Sequence, residues 1–276
     1  MRVSRALIGA ACAGLMLTTS ARQSGDAASS IKWLLNGPGV TALAASPIAN
    51  QLLTNAAPFV LVGKNAPRVP ASWNAVQVAS FTSYGSIRQA LSSATIPPDV
   101  RAILYDNERW QFTPAEEQHD PASFMQLAAD LVHSRHLLFI TAPAVNIVRE
   151  MSSETGGSPY VRYLRLGLAA NAARYADVYD IQAQGSERNV SRYAAFVNQA
   201  AAQARQANPR VRVLAGISTN PSGQHVSADD VVAAIDATRS SVDGYWLNIP
   251  RPSAYCPRCN DFRPDIAVEV LRRVDR

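Results

Sequence analysis

The sequence contains very few lysines and no basic cluster. Only Lys32 and Lys64 occur in 276 residues, and no run of Lys or Arg is interleaved with aromatic residues. The formal charge of +5 falls to +3 if residues 1–21 are removed, because Arg2 and Arg5 leave with them. This composition argues against nucleic acid as a partner, since binding to phosphates depends on clustered positive charge.

Glycine-rich phosphate loops and long internal apolar runs are also missing. Neither G-x-G-x-x-G nor a Walker sequence follows any predicted strand, which disfavours nucleotide sites. After the first residues, no apolar run reaches the roughly 18 residues of a membrane-spanning helix. The histidines have no paired spacing and fall on predicted helices or loops, which disfavours zinc and Ser-His-Asp chemistry: His119, His133, His136 and His225. We expect no metal, no cofactor and no membrane span.

The first residues have the pattern of a secretory signal peptide. Arg2 and Arg5 form a basic start, 6–17 is a short apolar stretch, and small residues follow as far as Ala21. The apolar stretch is too short to span a membrane. We therefore predict that 1–21 is a signal peptide and that the protein is secreted to the extracellular side. Lipid anchoring through Cys12 is the less favoured alternative, because this cysteine lies only a few residues into the apolar stretch.

Two cysteines remain in the mature chain, in the sequence YCPRC. In an exported protein Cys256 and Cys259 are predicted to form a short-loop structural disulfide. A redox pair is an alternative, but it lacks the usual strand-to-helix context because prolines surround it: Pro252, Pro257 and Pro264. A metal site is the other alternative, and it would need two further ligands.

Short apolar β-type runs alternate with helical patterns along most of the chain. The predicted strands are 59–63, 75–81, 101–108, 137–144, 177–184, 210–219 and 242–250, and the predicted helices are 86–94, 121–136, 159–176, 191–207, 227–241 and 264–274. Seven strands separated by crossover-length helices predict a parallel sheet. The best fit is a (β/α)8-type (TIM) barrel whose eighth strand lies in 31–44 or is irregular, and a doubly wound open sheet is the alternative. We predict three segments: the signal peptide 1–21, a mobile N-terminal segment 22–57, and the barrel domain 58–276.

Acids, amides and aromatic residues follow the predicted strands. Active sites of such barrels lie at the C-terminal ends of the strands. Amides can bond sugar hydroxyls and an indole face can stack on a pyranose ring, so an oligo- or polysaccharide is the expected partner of a monomeric protein. The alternative role of the two glutamines is to satisfy backbone groups at the strand end. The predicted substrate-binding residues are Trp246, Gln182, Gln184, Trp110, Asn248 and Asn146.

The stretch ILYDNERW places two carboxylates two residues apart at the end of a predicted strand. Asp106 and Glu108 should therefore point to the same face. Partial burial and the like-charged neighbour would raise the pKa of one of them, which gives a proton donor beside an ionised partner. One protonated and one ionised carboxyl group are the pair that cleavage of a glycosidic bond requires. The structural alternative is that the two acids pair with Arg109 and Arg101 or cap the following TPAEEQ turn.

This stretch resembles the chitinase-like glycoside hydrolases of family 18, in which a strand ends in D-x-x-D-x-D-x-E. The resemblance implies a TIM barrel in which Glu108 is the general acid. It also implies that Asp106 orients the acetamido group of the substrate, which acts as the internal nucleophile. DVYDIQAQ is similar to a later strand of the family with glutamine or methionine and then tyrosine. VDGYWLNIP is similar to its last strand, which ends in a tryptophan, here Trp246. The resemblance covers roughly 100–250.

Several positions depart from the pattern of that family. Its two earlier aspartates fall on Arg101 and Leu104, and its catalytic tyrosine falls on Gln184. A non-catalytic extracellular carbohydrate-binding barrel that uses the tryptophans and amides is therefore the alternative function. A third hypothesis is a Mg- or Ca-dependent barrel hydrolase with three carboxylate ligands: Asp106, Glu108 and Asp180.

Residues just after the acidic pair have two interpretations. Trp110 and Phe112 either stack on a ligand or pack the loop over the barrel. Glu116 and Glu117 fall on a predicted helical turn, where we expect both side chains to be solvated.

We predict that the mature protein begins close to residue 22. N-terminal sequencing of the secreted protein measures this directly, because cleavage after a small residue exposes a new amino terminus. A mature chain that begins with a lipid-modified Cys12 would contradict the prediction.

Overall fold

The computed structural model describes residues 31–63, 68–153, 156–254, 256–259 and 261–274. The predicted signal peptide and Cys12 lie outside these ranges, so export remains a prediction. Within the described ranges, no helix combines the length and the apolar character that crossing a membrane requires.

Eight parallel strands pair in chain order and close into a barrel. The strands are β1 (Lys32–Leu35), β2 (Phe59–Val62), β3 (Val76–Phe81), β4 (Val100–Tyr105), β5 (Leu138–Thr141), β6 (Val178–Ile181), β7 (Arg212–Ser218) and β8 (Gly244–Asn248). The closed order confirms the (β/α)8 barrel, and the doubly wound open sheet is wrong.

Helices surround the strands, as the crossover connections of a parallel barrel require. The helices are α1 (Gly37–Ala45), α2 (Pro47–Leu53), α3 (Tyr84–Ser92), α4 (Ala115–His119), α5 (Pro121–His133), α6 (Val148–Met151), α7 (Pro159–Arg165), α8 (Leu168–Tyr175), α9 (Val190–Ala207), α10 (Ala228–Asp236) and α11 (Pro264–Val274). Asp120 caps α5 by accepting a hydrogen bond from the Ser123 amide at 3.2 Å. Ser227 caps α10 in a capping box with Asp230, and aspartate and serine are among the residue types that cap helix N-termini most often.

The barrel begins inside the segment 22–57 that was predicted to be mobile. β1 pairs with β2 on one side and with β8 on the other, so it closes the sheet. It is the eighth strand that the sequence allowed in 31–44. The barrel therefore starts at Lys32 and not at residue 58. β1 was hard to predict because it lies in an Ala/Ser/Gly-rich part of the sequence and runs directly into the turn signal NGPG.

The helix predicted over 159–176 is two helices in the structure. α7 ends at Arg165 and α8 begins at Leu168. Gly167 lies between them with a φ of 65°, a left-handed conformation that glycine adopts at little cost. The chain turns at this break, which the helical period alone did not reveal.

The barrel interior is filled by a compact set of apolar side chains. These residues are Leu34, Phe59, Val78, Ala102, Leu104, Ile140, Ala142, Val178, Leu214 and Trp246. Ala102 and Leu104 point inward from β4. Strand alternation then directs Asp106 and Glu108 to the same side. β4 ends at Tyr105, earlier than predicted, but the Asp106 amide still bonds the Phe81 carbonyl at 2.8 Å.

We predict that Gly244→Ala destabilises the barrel at its closure. Gly244 pairs with Lys32 across β8 and β1, and a Cβ at this position would overlap the backbone carbonyl of Lys32. The two strands would have to separate, so we expect a loss of about 3 kcal/mol in the free energy of unfolding. Urea denaturation measures it.

Gly85→Ala is the matched control, because a Cβ there would meet nothing within 4 Å. Gly85 lies in α3, where alanine is the better helix former, so this variant should be as stable as the wild type or more so. Equal stability of the two variants would contradict the account of the closure.

Candidate active site

A cavity of about 500 Å³ opens at the C-terminal ends of the strands. It brings together seven of the eight residues that were predicted for catalysis or substrate binding: Asp106, Glu108, Trp110, Gln182, Gln184, Trp246 and Asn248. The eighth, Asn146, does not line the cavity, but its amide nitrogen lies 3.4 Å from Glu108 Oε2. Residues from four strand ends thus converge on one place.

Asp106 is held by a glutamine from a strand that is not its neighbour. Gln182 Nε2 donates to Asp106 Oδ1 at 2.6 Å and to the carbonyl of Ala142 at 2.8 Å. The same amide therefore connects the ends of β4, β5 and β6. A short donated hydrogen bond favours the charged form of the carboxyl group that accepts it.

Glu108 stands on a loop that the side chain of Thr113 fixes. The Glu108 amide donates to Thr113 Oγ1 at 3.3 Å, and this hydroxyl donates to the Thr82 carbonyl at 2.8 Å. Trp110 Nε1 also donates to Thr113 Oγ1, at 2.8 Å. A single threonine thus positions the acid and an indole of the cavity wall.

The two carboxyl groups are half-buried and interact electrostatically. Burial raises the pKa of Glu108 to about 7, and the hydrogen bond from Asn146 opposes this rise. Burial, and next the charge of Glu108, raise the pKa of Asp106, whereas the Gln182 bond lowers it. Burial thus raises both pKa values, and the shorter hydrogen bond, the one to Asp106, favours the charged form of Asp106 over that of Glu108.

The ion pairs that the structural alternative proposed for the two acids do not form. Arg109 pairs with Glu150 instead, and Arg101 donates to the backbone carbonyl of Pro98 at 2.6 Å. Neither Asp106 nor Glu108 forms an ion pair with a residue that the structure describes. Among the described residues, no cation therefore lies within ion-pair distance of either carboxyl group, although Arg251 lines the same cavity.

Glu117, which was expected to be solvated, is buried with an exposed fraction of 2%. Its carboxyl group accepts hydrogen bonds from the Tyr105 hydroxyl at 2.5 Å and from the Tyr84 amide at 2.8 Å. It thus joins the start of α3 to the end of β4. The position of Glu117 on a helical turn did not indicate this burial, because its hydrogen-bond partners come close only in the folded barrel.

Two indoles stand in the cavity wall. Trp110 is partly exposed and makes an edge-to-face contact with Phe112 at 5.2 Å between ring centroids. Trp246 is 9% exposed. Its Nε1 atom has no hydrogen-bond partner among the described residues. The Trp110–Phe112 contact shows that the loop packs on itself, and Trp110 also lines the cavity.

The side chain of Gln184 packs against Gly216, where the absence of a Cβ leaves space for it. Its Nε2 atom lies 3.4 Å from Gln182 Oε1, which extends the amide chain from Asp106. A Cβ on Gly216 of β7 would lie 2.5 Å from Gln184 Oε1, so a larger residue there would displace the glutamine. Both glutamines therefore belong to the cavity wall, not only to the backbone of the strand end.

Several wall residues were not predicted as site residues. Asn36 follows β1 and exchanges hydrogen bonds with the backbone of Ile249, at 3.0 and 3.1 Å. The loop after β8 adds Arg251, Ser253 and Cys256. Asn36 follows a strand that was itself uncertain, and the loop had been interpreted only through its cysteines.

The disulfide was predicted correctly. Cys256 and Cys259 are bonded, with a Cα–Cα distance of 5.4 Å. The exchange of backbone hydrogen bonds between Ser253 and Cys256 closes the same loop. The bond therefore restrains a segment that forms part of the cavity wall.

The hypothesis of a carboxylate-bound metal gains no support from this arrangement. Within the described ranges, no three residues among His, Cys, Asp and Glu are grouped so that they could hold one ion. Asp106, Glu108 and Asp180 in particular do not form such a group.

The fold and the site define a (β/α)8 barrel with an acidic, indole-lined cavity at the C-terminal ends of its strands. No family model and no curated protein matches the chain. Solved structures match at low identity. SleL, a spore cortex-lytic enzyme of Bacillus megaterium, is 10% identical with a TM-score of 0.46, covering 87% of this chain and 73% of that one.

Two other solved structures are similar at the same level. A chitinase from Chromobacterium violaceum is 11% identical with a TM-score of 0.44, covering 88% of this chain and 99% of that one. A candidate α-L-fucosidase from Bacteroides thetaiotaomicron is 8% identical with a TM-score of 0.42, covering 66% of this chain and 62% of that one. The chain thus spans less than two thirds of that last structure. A triosephosphate isomerase also matches, and at such scores none of these likenesses bears on function.

We predict that Glu108→Gln raises the melting temperature at pH 8 but not at pH 4. The folded-state pKa of about 7 lies above the ordinary value of 4.5. The folded protein therefore keeps a proton that the unfolded chain releases, and stability falls as pH rises from about 4.5 to 7. Glutamine removes this titration. Each kcal/mol regained corresponds to about 2–4 °C, measured by thermal scans at both pH values.

Glu116→Gln is the control, because Glu116 is an exposed carboxylate of α4. It should leave the difference between the two pH values as in the wild type. A Glu108→Gln variant with an unchanged difference would show that Glu108 ionises as freely in the folded protein as in the unfolded chain.

Proposed function

We propose that this protein is an exported glycoside hydrolase that acts on oligo- or polysaccharides, with Glu108 as the general acid. The observation that carries the proposal is the half-buried pair of carboxyl groups, Asp106 and Glu108, at the mouth of a barrel cavity and without a cation partner among the described residues. Export rests on the signal-like sequence of 1–21.

The roles of the two acids follow from their surroundings. Glu108, with a pKa raised to about 7 by burial, keeps its proton in mildly acidic solution and can deliver it to the glycosidic oxygen. Asp106 accepts the Gln182 hydrogen bond at 2.6 Å and carries the charge. The resemblance to family 18 supports a role for Asp106 in orienting an acetamido group that attacks the anomeric carbon.

The cavity wall supplies the groups that a sugar ring needs. Trp246 and Trp110 line the cavity, and indole rings stack on the apolar face of a pyranose. Gln184 and Asn248 offer amides for hydroxyl groups, and Asn146 holds Glu108 in place. This combination of a few polar groups with aromatic surface is typical of small-ligand cavities.

A carbohydrate-binding barrel without catalysis is the second candidate. The observation that favours it is Gln184, which occupies the position where the family resemblance expects a tyrosine. Such a protein would use the same indoles and amides, and the acids would only bond hydroxyl groups. The two candidates differ in turnover and not in the location of the ligand.

We predict that Glu108→Gln abolishes hydrolysis but leaves ligand binding intact. Glutamine has nearly the same shape and can still form hydrogen bonds, but it delivers no proton, so turnover should fall by about 10²–10⁴-fold or more. Asp106→Asn should also slow turnover, because the charge of the partner is lost. The assay is hydrolysis of a panel of β-linked N-acetylglucosamine and glucose oligomers, with melting curves in parallel.

Glu116→Gln again serves as the control and should hydrolyse at the wild-type rate. A Glu108→Gln protein as active as the wild type would remove the catalytic role of Glu108. A wild type that hydrolyses no glycan, yet melts at a higher temperature in the presence of one, would establish the binding barrel instead.

A further inference from the structure

An arginine in the cavity wall has no role in the chemistry described above. Arg251 follows β8 and lines the same cavity as Asp106 and Glu108. In the part of the chain that the structure describes, it forms no hydrogen bond and no ion pair. The other charged groups among the described wall residues are the two carboxyl groups. The side chain of Arg251 is exposed, so a ligand in the cavity can reach it.

The backbone just before Arg251 is fixed to the start of the barrel. The Ile249 amide donates to Asn36 Oδ1 at 3.0 Å, and the Ile249 carbonyl accepts from Asn36 Nδ2 at 3.1 Å. Pro250 comes next, and Pro252 follows Arg251 directly. A proline fixes its own φ and restricts the residue before it to extended conformations. Arg251 therefore stands on a stretch of backbone with little conformational freedom.

The loop beyond Arg251 is anchored to the residues that follow β7. The side-chain amide of Asn220 donates to the carbonyl of Asp261 at 2.8 Å. The disulfide joins Cys256, which lines the cavity, to Cys259, which is buried. The chain on both sides of Arg251 is thus held in place. A group that is positioned before binding loses less conformational freedom when the ligand arrives.

An anionic group on the ligand is the partner that this arrangement fits. A guanidinium group presents a planar fork of N–H donors, and this fork matches the two oxygens of a carboxylate. A negative charge on Asp106 would repel an acidic sugar that enters the cavity. Arg251 is the cation of the described wall that can offset this repulsion.

A hexuronic acid unit combines the two features that this side of the cavity can bind. Trp246 and Asn248 of β8, the strand that leads to Arg251, line the same cavity. A pyranose ring that stacks on an indole projects its C6 substituent from the edge of the ring. In a hexuronic acid this substituent is a carboxylate, so one sugar unit supplies both an apolar face for Trp246 and an anion for Arg251.

We propose that Arg251 is a specificity-determining residue that binds the carboxylate of an acidic saccharide, so that the substrate class is a glycan containing hexuronic acid. This inference rests on the proposed function, since it takes the cavity to be a saccharide site, but it does not depend on turnover. Two other roles for Arg251 predict different results. An arginine that acts on Asp106 or Glu108 would affect neutral and acidic sugars alike, and a merely solvated arginine would affect neither.

The experiment compares two probes that differ only at C6: a β-linked glucose tetramer, and the same tetramer with each hydroxymethyl group oxidised to a carboxylate. Calorimetry measures their binding to the wild type, Arg251→Gln and Arg251→Lys. The wild type should bind the acidic tetramer more tightly. Arg251→Gln should weaken that binding by about tenfold, as expected for a lost hydrogen bond between charged groups, and leave the neutral tetramer unaffected. Arg251→Lys keeps the charge without the fork and should recover part of the loss.

Arg258→Gln is the matched control, because Arg258 lies in the same loop and is exposed but does not line the cavity. It changes the net charge by the same amount and should bind both tetramers as the wild type does. Equal losses for the acidic tetramer in Arg251→Gln and Arg258→Gln would overturn the proposal, as would a loss in Arg251→Gln that is the same for both tetramers. A wild type that binds the acidic tetramer no more tightly than the neutral one also overturns it.

Hydrolysis of the two tetramers separates this proposal from the proposed function. For the acidic tetramer, Arg251→Gln should raise KM and leave kcat close to the wild-type value, because the residue binds the substrate without taking part in proton transfer. Cleavage of both tetramers with equal kcat/KM would overturn the role of Arg251 while the glycosidase stands. Binding of the acidic tetramer that depends on Arg251, in a protein that cleaves no glycan, would refute the glycosidase while the specificity stands.

Discussion

Gln182 donates one amide group to Asp106 and to the Ala142 carbonyl, and most of the site depends on this pair of hydrogen bonds. The bonds connect three consecutive strand ends, β4, β5 and β6. They fix the orientation of the Asp106 carboxyl and favour its charged form. Without them, Asp106 and Glu108 would be two similar half-buried acids, and nothing would determine which of them carries the proton. A difference in role between two like groups arises from such a difference in environment.

Buried carboxyl groups without a cation partner, at the C-terminal ends of the strands, reduce the stability of the barrel. Burial raises the pKa of both Glu108 and Asp180, so the folded protein retains protons that the unfolded chain would release, and stability falls as pH rises. The apolar interior and the closure of β1 on β8 must offset this loss. Such a loss of stability is common at sites whose function requires side chains with shifted pKa values. The stability of this barrel and the chemistry of its cavity are therefore linked through the same protons.

Prediction from the sequence succeeded where a local pattern was sufficient. The alternation along β4 placed Ala102 and Leu104 inside the barrel and the acids at its mouth, and the cysteine spacing indicated the disulfide. It failed where neighbouring residues obscured the pattern or where the pattern continued past a break. β1 runs directly into the turn signal NGPG, and the helical period continued through Gly167, where the chain turns between α7 and α8. The burial of Glu117 was missed because its partners lie 12 and 33 residues away.

The sequence alone determined seven of the eight strands and their alternation with helices, the common direction of Asp106 and Glu108, and the type of residue at each of those strand ends. These properties depend on neighbours in the chain, since side-chain alternation and helix capping act over a few residues. The tertiary structure alone decided that Gln182 holds Asp106, 76 positions away, and that Asn36 and Arg251 join the wall. Those contacts depend on the register between strands and on closure of the barrel, which arise only when the eight strands have assembled.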